Sequence, residues 1–124
     1  MSLITDSRVE ITAAITGLGA KVYDYVPAVP IPPALVCIPA ETWILPGRIG
    51  ARTNLEVAWK ITAVVAPRKN DAATRDLEDL AAAVIAALPP GYQLVRVGAP
   101  QIVDMGGQGS AYTVDITISA QLKE

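Results

Sequence analysis

The sequence contains no histidine and only one cysteine among its 124 residues. Histidine is the commonest general base, and histidine and cysteine are the usual ligands of zinc and iron. Most familiar nucleophile–base pairs and transition-metal sites are therefore excluded. Cys37 has no second cysteine with which to close an internal disulfide, and its place between Val36 and Ile38 indicates a buried small residue. An enzyme built from this chain would have to use carboxylates, lysines or hydroxyls.

Recognisable binding motifs are also missing. The chain has no paired-carboxylate motif, no GxGxxG, no Walker loop and no HExxH. Its only glycine cluster, Gly106-Gly107-Gln108-Gly109, precedes a predicted strand and not a helix, which indicates a turn and not a phosphate-binding loop. The sequence therefore predicts a protein that is not an enzyme and that has no bound cofactor or metal.

Charge and hydropathy narrow the class further. The net charge of −2 and the pI of about 5.0, with lysines and arginines scattered singly, provide no basic surface for reading DNA. No apolar run reaches the roughly 20 residues needed to cross a bilayer, and the N-terminus lacks the pattern of a signal peptide. The content of 52% hydrophobic residues indicates one packed domain. We expect this domain to be cytosolic and to have no membrane partner.

The stretch from 54 to 88 predicts the two central elements of the fold, a strand followed by a helix. Apolar residues take every second position from Leu55 to Val65, which is the period of a strand with one buried face. Pro67 has no N–H for a sheet and ends the strand. A helix follows: Asn70 and Asp71 are suitable N-caps, and apolar residues recur at helical spacing up to Leu88. This segment predicts a strand and a helix that packs across it.

The rest of the chain adds further strands and a second helix. The predicted elements are a helix over 2–18, strands over 21–26, 34–38, 92–97, 99–103 and 112–123, and a stiff proline-rich connector over 27–33. Within the strand over 92–97, Leu94 or Val95 is expected to point inward. The last strand alternates between apolar and polar residues, which is typical of an antiparallel sheet with one wet face. We therefore expect a single two-layer α+β domain over 1–124, with a mostly antiparallel sheet and two helices packed on one face.

The segment at about 39–53 loses its period and is predicted as an irregular arm or loop. Connections of this length in a compact domain are commonly functional or mobile. One interpretation is a broad hairpin folded over the edge of the core, with Trp43 as its lid. The other is an arm that orders only against a neighbouring subunit, where tryptophan and arginine are favoured anchors. The candidate interface residues of this arm are Trp43, Ile44, Leu45, Arg48 and Arg52.

The order of these elements resembles a known family. The matching features are the N-terminal helix, Val22-Tyr23-Asp24-Tyr25, the proline-rich connector, the apolar strand, the irregular stretch around Trp43 and Pro46, Asn54-Leu55-Glu56-Val57, Val64-Val65-Ala66-Pro67-Arg68, Asn70 and the acidic helix. Together they resemble the tail terminator proteins of long-tailed bacteriophages, most closely those of actinobacterial siphophages. The resemblance covers nearly the whole chain and rests on element order and a few residue types, not on a catalytic motif.

The resemblance implies a structural role in the virion. Members of this family are small α+β protomers that form a ring, usually a hexamer, on the head-proximal end of the tail tube. The ring ends polymerisation of the major tail tube protein and provides the interface to the head–neck connector proteins. The implied partners are therefore other copies of the chain, the tube protein and the connector. The implied location is the virion tail after assembly in the host cytoplasm. The family has no active-site residues to transfer to this sequence.

A polar strand face would suit the wall of the aqueous channel in such a ring. The candidate lining residues are Asn54, Glu56, Thr113, Asp115 and Thr117. Acidic and hydroxyl groups would let DNA pass without specific binding, because only basic residues gain affinity by releasing counterions. The simpler alternative is an ordinary solvent-facing sheet surface. Two other functions stay open. One is another neck component, such as a head-closure or tail-completion adaptor, and the other is a small ligand-binding or catalytic α+β dimer that uses carboxylates in a pocket.

Overall fold

A computed structural model describes residues 3–25, 33–46, 55–65, 71–104 and 110–122 of the chain. Within these ranges the chain forms two helices and one six-stranded sheet. In chain order the elements are α1 (Leu3–Ile15), β1 (Lys21–Tyr23), β2 (Ala34–Pro46), β3 (Leu55–Val65), α2 (Asp71–Ala87), β4 (Tyr92–Val97), β5 (Gln101–Asp104) and β6 (Ser110–Leu122). The predicted proline-rich connector and the glycine-rich turn fall almost entirely outside the described residues.

The sheet is mostly antiparallel and is centred on β3 and β6. The strand order is β1-β2-β3-β6-β4, and only β1 and β2 are parallel. β3 and β6 pair without interruption, from Leu55 opposite Leu122 to Val65 opposite Tyr112. β4 pairs with the second half of β6 and β5 with the first half, so these two short strands share one edge of the sheet.

Both helices pack on the same face of the sheet. α1 contacts β1 and β2, whereas α2 contacts β3 and β6. The core between the two layers consists of buried apolar residues: Ile11, Ile15, Leu35, Cys37, Val57, Trp59, Ile61, Ala63, Val65, Leu77, Leu80, Val84, Val114, Ile116 and Ile118. Burying a large aliphatic side chain contributes about 1.5–3 kcal/mol, which offsets the weak helix propensity of the β-branched α1 sequence. The predicted α+β domain with two helices on one face is confirmed.

The other face of the sheet is not covered by either helix, and we call it the open face. Its central residues on β3 are Glu56, Ala58, Lys60 and Thr62, which alternate with the core residues. A second, smaller apolar cluster lies toward the β1 side of this face and comprises Tyr23, Ala34, Val36, Val64 and Ala111, with Ile38 packed against it. Because side chains of β2 serve both clusters, Ala34 to Cys37 are all buried, as predicted for a strand buried on both faces.

The predicted irregular segment at about 39–53 requires correction. Residues 39–46 continue β2 and pair with β3 as one arm of an antiparallel hairpin, so they are not an irregular arm. The register shifts between Pro39 and Ile44, and such an irregularity interrupts the two-residue alternation of a strand. This break explains why the sequence loses its period there. The remainder of the predicted arm, 47–53, lies outside the described residues.

Candidate functional site on the open sheet face

The open face contains a shallow depression of about 620 Å³. It spans the four neighbouring strands β2, β3, β6 and β4 and extends to Gly98 just after β4. Its lining residues are Ala40, Glu56, Ala58, Lys60, Val95, Arg96, Gly98, Asp115, Thr117 and Ser119. Small side chains at Ala40, Ala58 and Gly98 lie among longer charged ones, and this difference in side-chain length makes the surface concave. The depression is therefore a partly open surface of the sheet, lined by charged, hydroxyl and small apolar groups, and not an enclosed pocket.

Strand register places the polar residues in rows across the open face. Asp115 lies opposite Thr62, and two residues further along β6 Thr117 lies between Lys60 on β3 and Arg96 on β4. Directly opposite residues on one face have Cβ atoms about 4.5–5.5 Å apart, so members of a row are neighbours. The row Lys60, Thr117, Arg96 thus brings two cations to either side of one hydroxyl group.

The two carboxylates of the depression have hydrogen-bond donors of their own. Thr62 Oγ1 donates to Asp115 Oδ1 at 2.8 Å, and Gln121 Nε2 donates to Glu56 Oε1 at 3.1 Å. Both bonds run along rows other than that of Lys60 and Arg96. Within the part of the chain that the structure describes, neither Lys60 nor Arg96 forms an ion pair. Among the described residues, the acids are therefore partnered by neutral groups, and the cations of the central row are not paired with an acid.

The predicted channel-lining residues are partly brought together. Glu56, Asp115 and Thr117 line the depression. Thr113 lies further along the same face of β6, between Val64 and Gln101, and Asn54 is outside the described residues. The predicted acidic and hydroxyl lining is incomplete, because Lys60 and Arg96 balance the two carboxylates. The alternation of β3 places Lys60 on the polar side, but nothing in the local sequence shows that Arg96 lies beside Thr117.

The predicted interface residues fall in or after β2. Ile44 lies opposite Val57 and is 36% exposed, and Trp43 and Leu45 are part of the same strand. Arg48 and Arg52 lie outside the described residues. The structure thus describes a strand over 39–46 where an irregular arm or loop was expected, and of these five residues only the side chain of Ile44 is described.

An apolar edge of the sheet was not predicted. Leu94, Val95, Val97 and Ile102, on β4 and β5, are 44%, 55%, 41% and 66% exposed, and we call these four residues the apolar edge. Leu94 lies opposite Ile118 on the helix-covered face, as one of the two expected alternatives, but its exposure shows that it is not part of the core. Val95 lines the depression on the open face. α2 packs on β3 and β6, so the sheet continues past the helix layer at this edge. A register shift between Leu94 and Arg96 also changes the alternation along β4.

A buried polar cluster joins α1 to the sheet but has no opening to the depression. Ser7 Oγ lies 2.7 Å from the hydroxyl of Tyr92 and accepts a hydrogen bond of 3.1 Å from Trp59 Nε1. Burial raises the pKa of Tyr92 to about 12, the Ser7 bond opposes this change, and Glu10 adds to it. Burial likewise raises the pKa of the Cys37 thiol to about 12. Neutral groups held in this way stabilise the fold and are poor nucleophiles near pH 7.

Metal binding and membrane insertion find no support in the described ranges. Among those residues, no group of three or more histidine, cysteine, aspartate or glutamate side chains is arranged to hold a metal ion. Neither α1 nor α2 is both long and apolar enough to cross a membrane.

The fold and the site together define an α+β domain with one helix-covered face, one open polar face and one apolar edge. Comparison with protein-family models gives no match for this chain, and comparison with curated proteins gives no significant match. The function is therefore inferred from the element order, the open face and the apolar edge.

Proposed function

We propose that this chain is a structural virion protein that forms a ring on the head-proximal end of a phage tail tube. In that position it ends tail polymerisation and provides the interface to the head–neck connector. The observation that carries the assembly role is the apolar edge, because it leaves four aliphatic side chains in water on a sheet edge. The resemblance in element order specifies which kind of assembly is proposed.

The apolar edge suits a contact between subunits. Its side chains retain about half of their accessible surface, so covering all four would contribute on the order of 4 kcal/mol before the costs of association. Among the described strands β4 is also an edge strand, and edge strands present backbone groups that can pair with another chain. Exposed apolar strand edges of this kind favour association with another chain.

The position of this edge favours a ring over a symmetric dimer. It lies at one end of the strand order, and β1 lies at the other end. The β1 side carries a different exposed apolar group, namely Tyr25 after β1. A contact between the two ends joins unlike surfaces, and such heterologous contacts build closed rings when the rotation between subunits permits closure.

The open face then suits the wall of the channel. Its two carboxylates and two cations cancel in charge, and its hydroxyl groups keep the surface hydrated. DNA would pass such a wall without sequence-specific binding, because contacts of the wall with the phosphate backbone carry no sequence information. The partners of the proposed ring are further copies of the chain, the major tail tube protein and the connector proteins, and no reaction is catalysed.

Light scattering of the purified protein, with and without the major tail tube protein, tests this function. We expect a ring mass, or a ring that forms on tube ends and arrests tube growth. Leu94→Ser and Ile102→Ser should each raise the protein concentration needed for ring formation at least tenfold. Ile85→Ser on α2 is the control, because it replaces an exposed aliphatic residue away from the edge strands. Circular dichroism should show that all three variants fold.

Two results would contradict the proposal. One is a dimer whose mass does not depend on concentration or on tubes, which would favour the alternative of a ligand-binding module. The other is equal weakening of assembly by the Ile85 control and the two edge variants, which would show that the edge is not the contact.

A further inference from the structure

We propose that the row formed by Lys60, Thr117 and Arg96 binds a phosphate group. The three residues are consecutive neighbours across β3, β6 and β4 on the open face. Strands lie about 4.8 Å apart, so the two cationic residues have Cα atoms roughly 10 Å apart with the threonine between them. Lysine and arginine side chains are long enough to meet above the central residue, where an ammonium, a guanidinium and a hydroxyl group can donate to one anion.

Within the described ranges, the carboxylates in the neighbouring rows do not accept hydrogen bonds from Lys60 or Arg96. Asp115 accepts from Thr62 and Glu56 accepts from Gln121, so each carboxylate is bonded within its own row. The carboxylates lie one and two rows away from Thr117 on the same face. They lower the affinity for an anion but do not occupy the cations, because no ion pair of Lys60 or Arg96 forms among the described residues.

The geometry favours a phosphate on a polymer over an enclosed small ligand. Arginine binds phosphate oxygens with two parallel donors, and lysine adds a point charge. The depression is partly open to solvent, so it can admit one phosphodiester of a long strand without enclosing its bases. We assign this phosphodiester to duplex DNA inside the ring, and that source rests on the proposed function, whereas the anion site itself does not. Contact with the balanced face would be weak and independent of base sequence.

Titration with two probes, followed by amide NMR shifts, tests the site and its source. The probes are inorganic phosphate and a duplex DNA of about 20 base pairs, which exceeds one helical turn. We expect both to shift the amides of Lys60, Thr117 and Gly98, and Lys60→Gln and Thr117→Val to reduce these shifts. Arg75→Gln is the matched control, since Arg75 is an exposed cation on α2 in the helix layer.

Salt dependence provides a quantitative criterion. Two phosphate-binding cations per protomer predict a roughly 12-fold loss of DNA affinity per contacting protomer between 50 and 200 mM salt. Removing one of them predicts a loss of roughly 3.5-fold over the same range. The slope of the affinity against salt should therefore halve in Lys60→Gln, whatever the number of protomers in contact, and should be unchanged in Arg75→Gln.

Each outcome decides the proposal. Shifts at the row with phosphate and with DNA support both the site and its assignment. Shifts with phosphate but not with DNA support the site and overturn the DNA source. No localised shift with either probe, or an equal effect of the Arg75 control, overturns the site. Light scattering of Lys60→Gln distinguishes failure of the anion site from failure of the ring. The variant should assemble like the unaltered protein, and a loss of assembly would count against the proposed function and not against the anion site.

Discussion

Replacing Ser7 by alanine should destabilise the fold by about 1.5 kcal/mol. Ser7 is 3% exposed, and its hydroxyl connects α1 to two strands through Trp59 on β3 and Tyr92 on β4. The substitution removes both hydrogen bonds at once. It also weakens the attachment of α1 to β4 on the far side of β6, where the 3.5 Å bond from the Tyr92 hydroxyl to the Ser7 carbonyl remains.

The magnitude follows from two opposing effects. Each hydrogen bond contributes about 1 kcal/mol net, so the loss of two amounts to about 2 kcal/mol. Alanine has the better helix propensity by about 0.5 kcal/mol, which partly compensates. With an unfolding entropy of about 2.1 cal/mol/K per residue, the 124-residue chain should lose roughly 6 °C in Tm.

Urea and thermal unfolding, followed by tryptophan fluorescence and circular dichroism, measure this loss. Thr12→Ala is the matched control, because Thr12 donates only to the Val9 carbonyl on the exposed side of the same helix. That variant should be neutral or slightly stabilised. Tyr92→Phe removes the bond to Ser7 Oγ together with the longer 3.5 Å bond to the Ser7 carbonyl and the bond to Glu10, and should cost at least about 1 kcal/mol. The Ser7→Ala cost should fall by about 1 kcal/mol when both changes are combined. A Ser7→Ala loss below about 0.5 kcal/mol, or full additivity, would refute the reasoning.

Two further predictions concern single positions. Cys37 is fully buried with a thiol pKa of about 12, so a thiol reagent at pH 8 should label it at least about 100-fold faster in denaturant than in the folded protein. Comparable labelling in the folded and the denatured protein would contradict the burial. Because the folded pKa of this thiol is raised from 9.0, its contribution to stability is fully present below pH 9 and is lost as the pH rises from 9 to 12. Gly91 has a φ of 90° with no heavy atom near an added Cβ, so Gly91→Ala should cost about 1 kcal/mol through backbone strain alone. Gly98→Ala is the control, since its Cβ would meet only the Asp115 carbonyl at 3.8 Å, and equal losses in the two variants would argue against backbone strain.

The central elements were predictable because their patterns are long and regular. β3 and β6 alternate over eleven and thirteen residues, and each pattern specifies which side chains enter the core. α2 begins near its predicted caps and ends before Pro89. Trp59 and Cys37 are buried, as their neighbours in sequence indicated. These elements alone are sufficient to predict an α+β sheet with a helix-covered face.

The edge of the sheet could not be predicted in the same way. Whether Leu94 is buried depends on how far the helix layer extends over the sheet, which is a property of the tertiary packing and not of the strand sequence. The proximity of Arg96 to Thr117 depends on β4 pairing with β6 and on the shift in register between Leu94 and Arg96. The continuation of β2 to Pro46 was missed because a second shift interrupts its period. Local patterns carry no information on any of these pairings.

The uninterrupted register of β3 and β6 is fixed by residues on the core face, so that residues on the open face can be replaced without loss of the fold. A slip of one residue would move Ile116 and Ile118 to the open face and Thr117 into the core, so burial of the core face holds the register strongly. Substitutions that keep a strand-compatible side chain on the open face do not alter that burial, and surface changes of this kind usually shift stability by less than about 0.5 kcal/mol. Lys60→Gln and Thr117→Val should therefore change anion binding in a protein whose folding is intact. A loss of anion binding in these variants can then be assigned to the site itself and not to unfolding.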